Sequence, residues 1–521
     1  LMAGVVNVGS GSYSDQFPGT DAAGRNAYPA SAPQVSGKAA TRPVPTNEWW
    51  CNELISNHGT TMFNYPVTLK PLDNGLCIMS SPVGGALPGD TPVTIGLTTT
   101  SATQTTVSDH SDWSVTVSWG DMEATSVHGS PMTYFTRSGS ADVRVAVNMG
   151  TPLVKGNVLI VKGSFHGAGY AIYAPAGATW NLNGNVATTS LNGKNYWSAA
   201  MFTQGMDAEA MADKFAPYAF VFPKDTRVDY NYNEATGEVT AAYNFIADVK
   251  EGTARTPLQG LLPHHWGHLK EQPGFIGVSY QTVRGELKLA ATETFTTSLT
   301  FTGILPTLPP IQNSSTGFSQ AELDRLVNAV NNNTGLTDWA DTYNDGQLVN
   351  RLVQTARVAA QSGNTAGFSK AFALIKERVE RWLTYSQGDI AFMFYYHKPW
   401  TSMLGYPAGH GQDSNINDHH FHWGYFIGGA AFVEQYEPGW AAKYGDMVNL
   451  LVRDAASPDR DDEMFPFLRN FSVFGGHAWA NGLATIGTGI DQESTSESMQ
   501  FNSNLILWGE VTGNTRLRDT G

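Results

Sequence analysis

A chain of 521 residues exceeds what one hydrophobic core accommodates, so two or more domains are expected. The formal net charge is -15, yet only 15% of residues are charged, against about 25% in an ordinary globular chain. A surface finished with Ser, Thr, Asn, Gln and Gly suits neutral, hydroxyl-rich ligands. An acidic chain without a basic block argues against nucleic acid or anionic membrane as partner, and no apolar run reaches the roughly 18 residues of a spanning helix.

The chain starts at Leu1 without a signal peptide, as a mature or trimmed product would. Aromatic residues make up 11%, with 14 Trp and 20 Tyr. Core packing accounts for most. Those beside polar residues, such as Trp49–Trp50, Tyr395–Tyr396 and Trp423, are candidates to stack on the apolar face of a sugar ring. Cys51 and Cys77 form either one disulfide or two buried thiols, and the absence of Cys-x-x-Cys speaks against a thiolate zinc site. Glycosylation sequons occur at Asn313, Asn332 and Asn470.

Up to about Thr300 the chain reads as β. "VTVSWG", "VRVAVNMG", "NVLIVKGSF" and "ELKLAATETFTTSLTF" alternate or run β-branched between Gly, Asn and Asp turns, the pattern of a sandwich. "NEATGE" is a hairpin turn between two alternating runs. "LPTLPPIQNSST" (Leu305–Thr316) is a Pro- and Ser-rich hinge. Beyond it the periodicity becomes helical. "FSQAELDRLVNAVNN" opens with a Ser319–Glu322 capping box, and about seven helical segments follow from Phe318, joined by long aromatic loops. A sandwich followed by antiparallel helix pairs points to two domains, the second a toroid or bundle.

Three polar clusters lie in the helical half. In "NDHHFHWGYF", Asn417 is a good N-cap with Asp418 in the first turn. His419, His420 and His422 either ligate metal, line a polar cleft or serve structure, and their spacing is not the His-Glu-x-x-His of zinc helices. "NFSVFGGHAWANGL" is either a loop presenting His477 and Trp479 to a ligand or a turn with a buried Trp. In "DQESTSESMQFNSNLILWGE", Ser494 and Glu497 fit a capping box, which leaves Glu493 unexplained. If the helix starts a turn earlier, Glu493 and Glu497 share one face as unfavourable like charges. One Asp, two Glu and polar aromatics form the toolkit of glycoside hydrolysis, in which one carboxylic acid protonates the leaving oxygen and a carboxylate activates water or attacks the sugar.

These motifs, in this order, resemble glycoside hydrolase family 81, the endo-β-1,3-glucanases. "PVPTNEWWCNELIS" (Pro43–Ser56) and "LPHHW" (Leu262–Trp266) extend the resemblance over most of the chain. It implies a β-sandwich (1–260), a small linking domain (261–316) and a helical (α/α)6-type barrel (317–521). It implies endo-hydrolysis of β-1,3-glucans with inversion, no cofactor and no metal, with Asp418 as general acid, Glu493 as general base and Glu497 supporting the base or the water. On this reading His422, Trp423, Tyr425, His477, Trp479 and Tyr396 bind substrate, and the protein is a secreted or wall-associated monomer. Rival readings are a non-catalytic β-glucan-binding protein and a hydrolase of another polysaccharide. Two departures stand out. The family's "YYDKxW" reads "YYHKPW" here, with His397 in place of Asp. About seven helices are also too few for a full barrel, so the C-terminal part is expected to be missing, with Leu505, Leu507 and Trp508 on an exposed apolar edge.

Overall fold

The computed structural model describes residues 4–55, 58, 60–80, 91–310, 317–485 and 489–521. Sequon residue Asn313 and residues 311–316 of the hinge lie outside these. Two antiparallel sheets form the sheet-rich region. One has eight strands, with Thr151–Lys155 at one edge and Thr106–His110 at the other. The other has seven, from Asn181–Asn183 to Met62–Phe63. The sheets face each other. Tyr170 of the first donates its hydroxyl to the Ile78 carbonyl of the second at 2.7 Å. Met62, Leu69 and Leu76 meet Val115, Val117 and Ala124 around a void of about 10 Å³. Inward positions are buried, as the alternating pattern requires, and Tyr196–Phe202 is buried along its whole length.

Trp49 and Trp50 belong to this core, at 5% and 1% exposure, with Trp49 stacked on His128 at 4.8 Å. Cys51 and Cys77 are both free, buried thiols, which settles the choice the sequence left open. In the turn that carries Cys51, burial raises the Glu53 carboxyl from an ordinary 4.5 to about 8, and a 3.2 Å hydrogen bond from Thr105 offsets part of this. The folded protein therefore holds this proton more tightly than the unfolded chain does. Stability present below pH 4.5 is lost as pH rises toward 8, at about 1.4 kcal/mol per pH unit from this group. Glu53→Gln should flatten that loss. Urea denaturation at pH 5 and pH 8 checks it, and an unchanged difference between the two would refute the assignment.

The long hairpin Val221–Asn233/Glu238–Val249 turns at Glu234–Gly237, as "NEATGE" predicts. It pairs with Thr294–Thr300 rather than with either large sheet. A second small sheet holds Leu258–Leu261, Gly285–Ala291 and Phe275–Thr282. The first strands, Val5–Val8 and Gly11–Ser14, also leave the large sheets. They join Met393–His397 and Ser402–Tyr406 within the helical half. Of the other two sequons, Asn470 is 3% exposed, and Asn332 is exposed and accepts a hydrogen bond from Lys370.

Seven α-helices follow among the described residues, from Gln320–Asn332 to Thr515–Thr520. The Ser319 hydroxyl caps the first by accepting from the Glu322 amide, but the Glu322 carboxylate bonds Arg325, so only half of the expected capping box forms. At the centre lies the histidine helix, His419–Tyr436, in which every residue from His419 to Val433 is buried. A helix apolar all round is one packed on all sides. Against it lie the tyrosine helix, Thr342–Gln361, and the glutamate helix, Thr495–Thr512. Gly428 permits close approach, since a Cβ there would lie 2.6 Å from the Asn504 side chain, whose amide donates to the Gly424 carbonyl at 2.8 Å. The expected apolar edge is not found on the glutamate helix. Leu505 and Trp508 are each 1% exposed, Leu507 is partly buried, and the Trp508 indole donates to Asn449. The histidine helix and Thr515–Thr520 supply most of the cover, and Ala441–Ala456 meets it at Trp508.

Candidate active site

The first carboxylate sits where the histidine helix begins. Asp418, not Asn417, is the N-cap residue, in the left-handed conformation at φ 61°. Asp tolerates this region better than most residues. Its amide donates to the Ala480 carbonyl at 2.8 Å, and its carbonyl accepts the first helical bond from His422. The Asn417 side chain instead accepts from the Gly482 amide at 3.0 Å. The Asp418 carboxyl makes no cap bond. Burial, then the charges of Glu493 and Glu497, push it from 3.8 up to about 7. A helix N-terminus favours the ionised form; desolvation and two like charges outweigh it here.

The two glutamates enter from the start of the glutamate helix and the segment just ahead of it. Ser494 is left-handed at φ 50° and makes no side-chain cap bond, so the expected capping box does not form. Glu497 lies in the first turn, and its carboxylate is engaged elsewhere. Oε1 accepts the Tyr343 hydroxyl and the Tyr425 hydroxyl, each at 2.7 Å. Glu493 lies just ahead of the helix and is exposed. One residue ties the two acidic segments together: Ala480 accepts from the Asp418 amide and donates its own amide to the Asp491 carbonyl at 2.8 Å. The "HAWANGL" loop thus contributes backbone that sets the acids against each other.

The expected substrate-binding residues fare differently. Trp423 is fully buried and donates its indole to Asp454 at 2.7 Å, so it offers no face to a ligand. His422 is 1% exposed and bonded to Thr342. Tyr396 donates to the Met464 carbonyl and packs edge-on to Phe465. Trp479 is 7% exposed and edge-on to His477, whose Nδ1 lies 2.8 Å from the Ala478 carbonyl. Burial lowers His477 to about 4, which leaves it neutral. Tyr425 also has a buried ring, but its hydroxyl reaches the site through Glu497. All three proposed stacking rings, Trp423, Tyr425 and Trp479, are therefore core residues. Trp423 and Tyr425 lie on a helix buried from His419 to Val433, and Trp479 turns inward from a loop whose neighbours His477 and Ala478 are only partly buried.

The histidine run serves structure rather than a cleft. His419 bridges Asp454 at 2.6 Å and the Gln412 carbonyl at 2.8 Å, and His420 bonds Ser498. Among the described residues no group of three or more His, Cys, Asp or Glu is placed to hold a metal ion. His397, the departure from the family's Asp, is 5% exposed, bonded to the Tyr395 hydroxyl and tilted against Tyr28. Sequence reasoning missed Tyr343 and Gln347. Tyr343 senses the charges of Glu497, Asp418 and Glu493 alike, and Gln347 donates to its hydroxyl at 2.9 Å. The only local signal was a well-capped helix start at Asp341.

Comparison with known proteins gives a consistent picture. The profile of the "Glycosyl hydrolase family 81 C-terminal domain" matches residues 318–521. A "Glucan endo-1,3-beta-D-glucosidase" of Thermobifida fusca is 34% identical, aligned over all of this chain and 70% of its own length. One of the same name from Acetivibrio thermocellus is 33% identical, over 92% of this chain and 63% of its own. A point mutant of a family 81 glycoside hydrolase from Clostridium thermocellum superposes with a TM-score of 0.90 at 31% identity, covering 99% of this chain and 72% of that one.

Proposed function

The chain belongs to glycoside hydrolase family 81, and from that we propose that it cleaves internal β-1,3-glucosidic bonds of laminarin-like or wall glucans with inversion. Asp418 is the general acid, Glu493 the general base that activates water, and Glu497 fixes that water or the base. The carrying observation is the Asp418 carboxyl, held protonated near neutrality by burial and by the two glutamates. An acid must arrive protonated and a base ionised, and environments that push two carboxyls apart assign those roles. The exposure of Glu493 to solvent supports its role as the group that takes a proton from water. The substrate is neutral, so the acidic surface does not repel it. The reading includes a β-sandwich within 1–260, without Val5–Ser14 and the Val221–Val249 hairpin, which pair elsewhere, a linking segment over 261–316, a helical barrel over 317–521 and action as a monomer outside the cell. The curated relative from Schizosaccharomyces pombe, named for the primary septum, supports the last point.

Incubation with a linear β-1,3-glucan should release new reducing ends, and proton NMR of the earliest product should show the α-anomer. A protein that binds the glucan without cleaving it would refute the reading. The basic limb of the pH profile should fall with a midpoint of about 7, because Asp418 loses its proton there. The sign follows from its role: a deprotonated acid has nothing to donate. A profile flat from pH 6 to pH 9 would remove Asp418 as the acid.

A further inference from the structure

Three helices converge on one carboxylate oxygen. Tyr343 of the tyrosine helix and Tyr425 of the histidine helix both donate to Oε1 of Glu497, each at 2.7 Å. The Tyr343 oxygen itself accepts from the Gln347 amide at 2.9 Å. A phenol has a single proton, so the Gln347 donor commits that proton to Glu497. Oε2 has no hydrogen-bond partner among the described residues. Gly346 makes the convergence possible: a Cβ there would lie 3.0 Å from the Tyr425 side chain.

We propose that Tyr343 and Tyr425 are positioning residues for the hydrolysis, holding Glu497 through Oε1 so that its charge stays beside Asp418 and Oε2 stays turned to the reacting water. The inference rests on the reading of Asp418, Glu493 and Glu497 as the reacting group. Two charge-assisted bonds on one oxygen restrict the carboxylate far more than one would, and neither tyrosine needs to touch the sugar. The groups facing Asp418 are Glu493 and Glu497 from the glutamate segment and Tyr343 from the tyrosine helix, with His410 edge-on to Tyr343. The charges that act on Asp418 are both negative, so their placement sets how long it keeps its proton. A tie that merely joins helices would affect unfolding but leave this titration alone.

The test uses the full chain and a linear β-1,3-glucan. Tyr343→Phe and Tyr425→Phe should each lower kcat about tenfold, and the double variant more, because a hydrogen bond to a charged group is lost each time. KM should stay within about twofold, and the basic limb should move to lower pH as the Glu497 charge drifts from Asp418. A folded double variant with wild-type kcat and an unmoved limb would overturn the proposal. Should the double variant fail to fold, Gln347→Leu replaces it. That side chain is exposed and touches the site only through the phenols. A smaller kcat loss with the same direction of shift supports the proposal, and an unchanged profile overturns it. Glu493→Gln, run in parallel, separates the two levels. If it is inactive while the tyrosine variants are normal, only the positioning role fails. If it is as active as wild type, the underlying reading fails and this inference with it.

Discussion

Glu493→Gln should leave a folded protein whose release of reducing ends falls about 10²- to 10⁴-fold, the usual contribution of a positioned acid or base. Glutamine keeps the shape and hydrogen-bonding reach of the side chain but cannot take up a proton. Because Glu493 is exposed, the substitution exposes no cavity and strands no buried partner, so the melting temperature should not change. Asp418→Asn should cost as much with substrates that have poor leaving groups, and much less with an activated aryl glucoside, whose leaving group needs no proton. Equal losses on both substrates would mean that Asp418 does not deliver the proton.

The largest expected loss of stability lies behind the site, at Asp454. This side chain is wholly buried and accepts from His419 at 2.6 Å, the Trp423 indole at 2.7 Å and the Met403 amide at 3.0 Å. Arg469, also fully buried, stands 3.6 Å away. Burial alone would raise the Asp454 carboxyl, but His419 and Arg469 outweigh it and hold it below the usual range. Asp454→Ala removes the one anion among these donors and should destabilise the fold by about 3–5 kcal/mol, the cost of an uncompensated buried charge. Calorimetry of the purified variant checks it. A melting temperature within a degree or two of wild type would show that the network is relaxed by water. His419 directly follows Asp418, so any surviving activity of the variant should also show an altered pH profile.

Much of this architecture was legible because its signals are local. Alternation marks strands such as Ser114–Ser118, where Val115 and Val117 are buried and Thr116 and Ser118 partly open. Period 3.6 and the Ser319 cap mark the helices. The three acids stood out because each lies at a helix start with no cation near it. What was not legible depends on distant partners. The capping box at Ser494–Glu497 had the right letters, but Glu497 is claimed by Tyr343, 154 positions earlier, and by Tyr425, 72 earlier. The histidines looked like cleft residues because their partners, Asp454, Ser498 and Thr342, lie 35, 78 and 80 positions away. Trp423 looked like a sugar platform because its polar neighbours suggested a surface. Those neighbours are themselves satisfied inside the core, so the polarity of the local sequence was no guide to exposure.

The hairpin Val5–Val8/Gly11–Ser14 ties synthesis order to assembly. Ser12 bonds the Tyr385 carbonyl across 373 positions, and the Ser10 amide bonds the Lys443 carbonyl. A ribosome delivers this hairpin long before the strand Met393–His397 that receives it, so the segment must wait unpaired while the sheet-rich region forms. Loop closure over such a span is slow. A fragment beginning at Phe318, the natural cut between strands and helices, would lack the hairpin and leave that edge of Met393–His397 open to pairing with other chains. In a version split at Phe318 the first piece carries the hairpin, so the helical piece taken alone needs a peptide of residues 4–16 added in trans to close this edge.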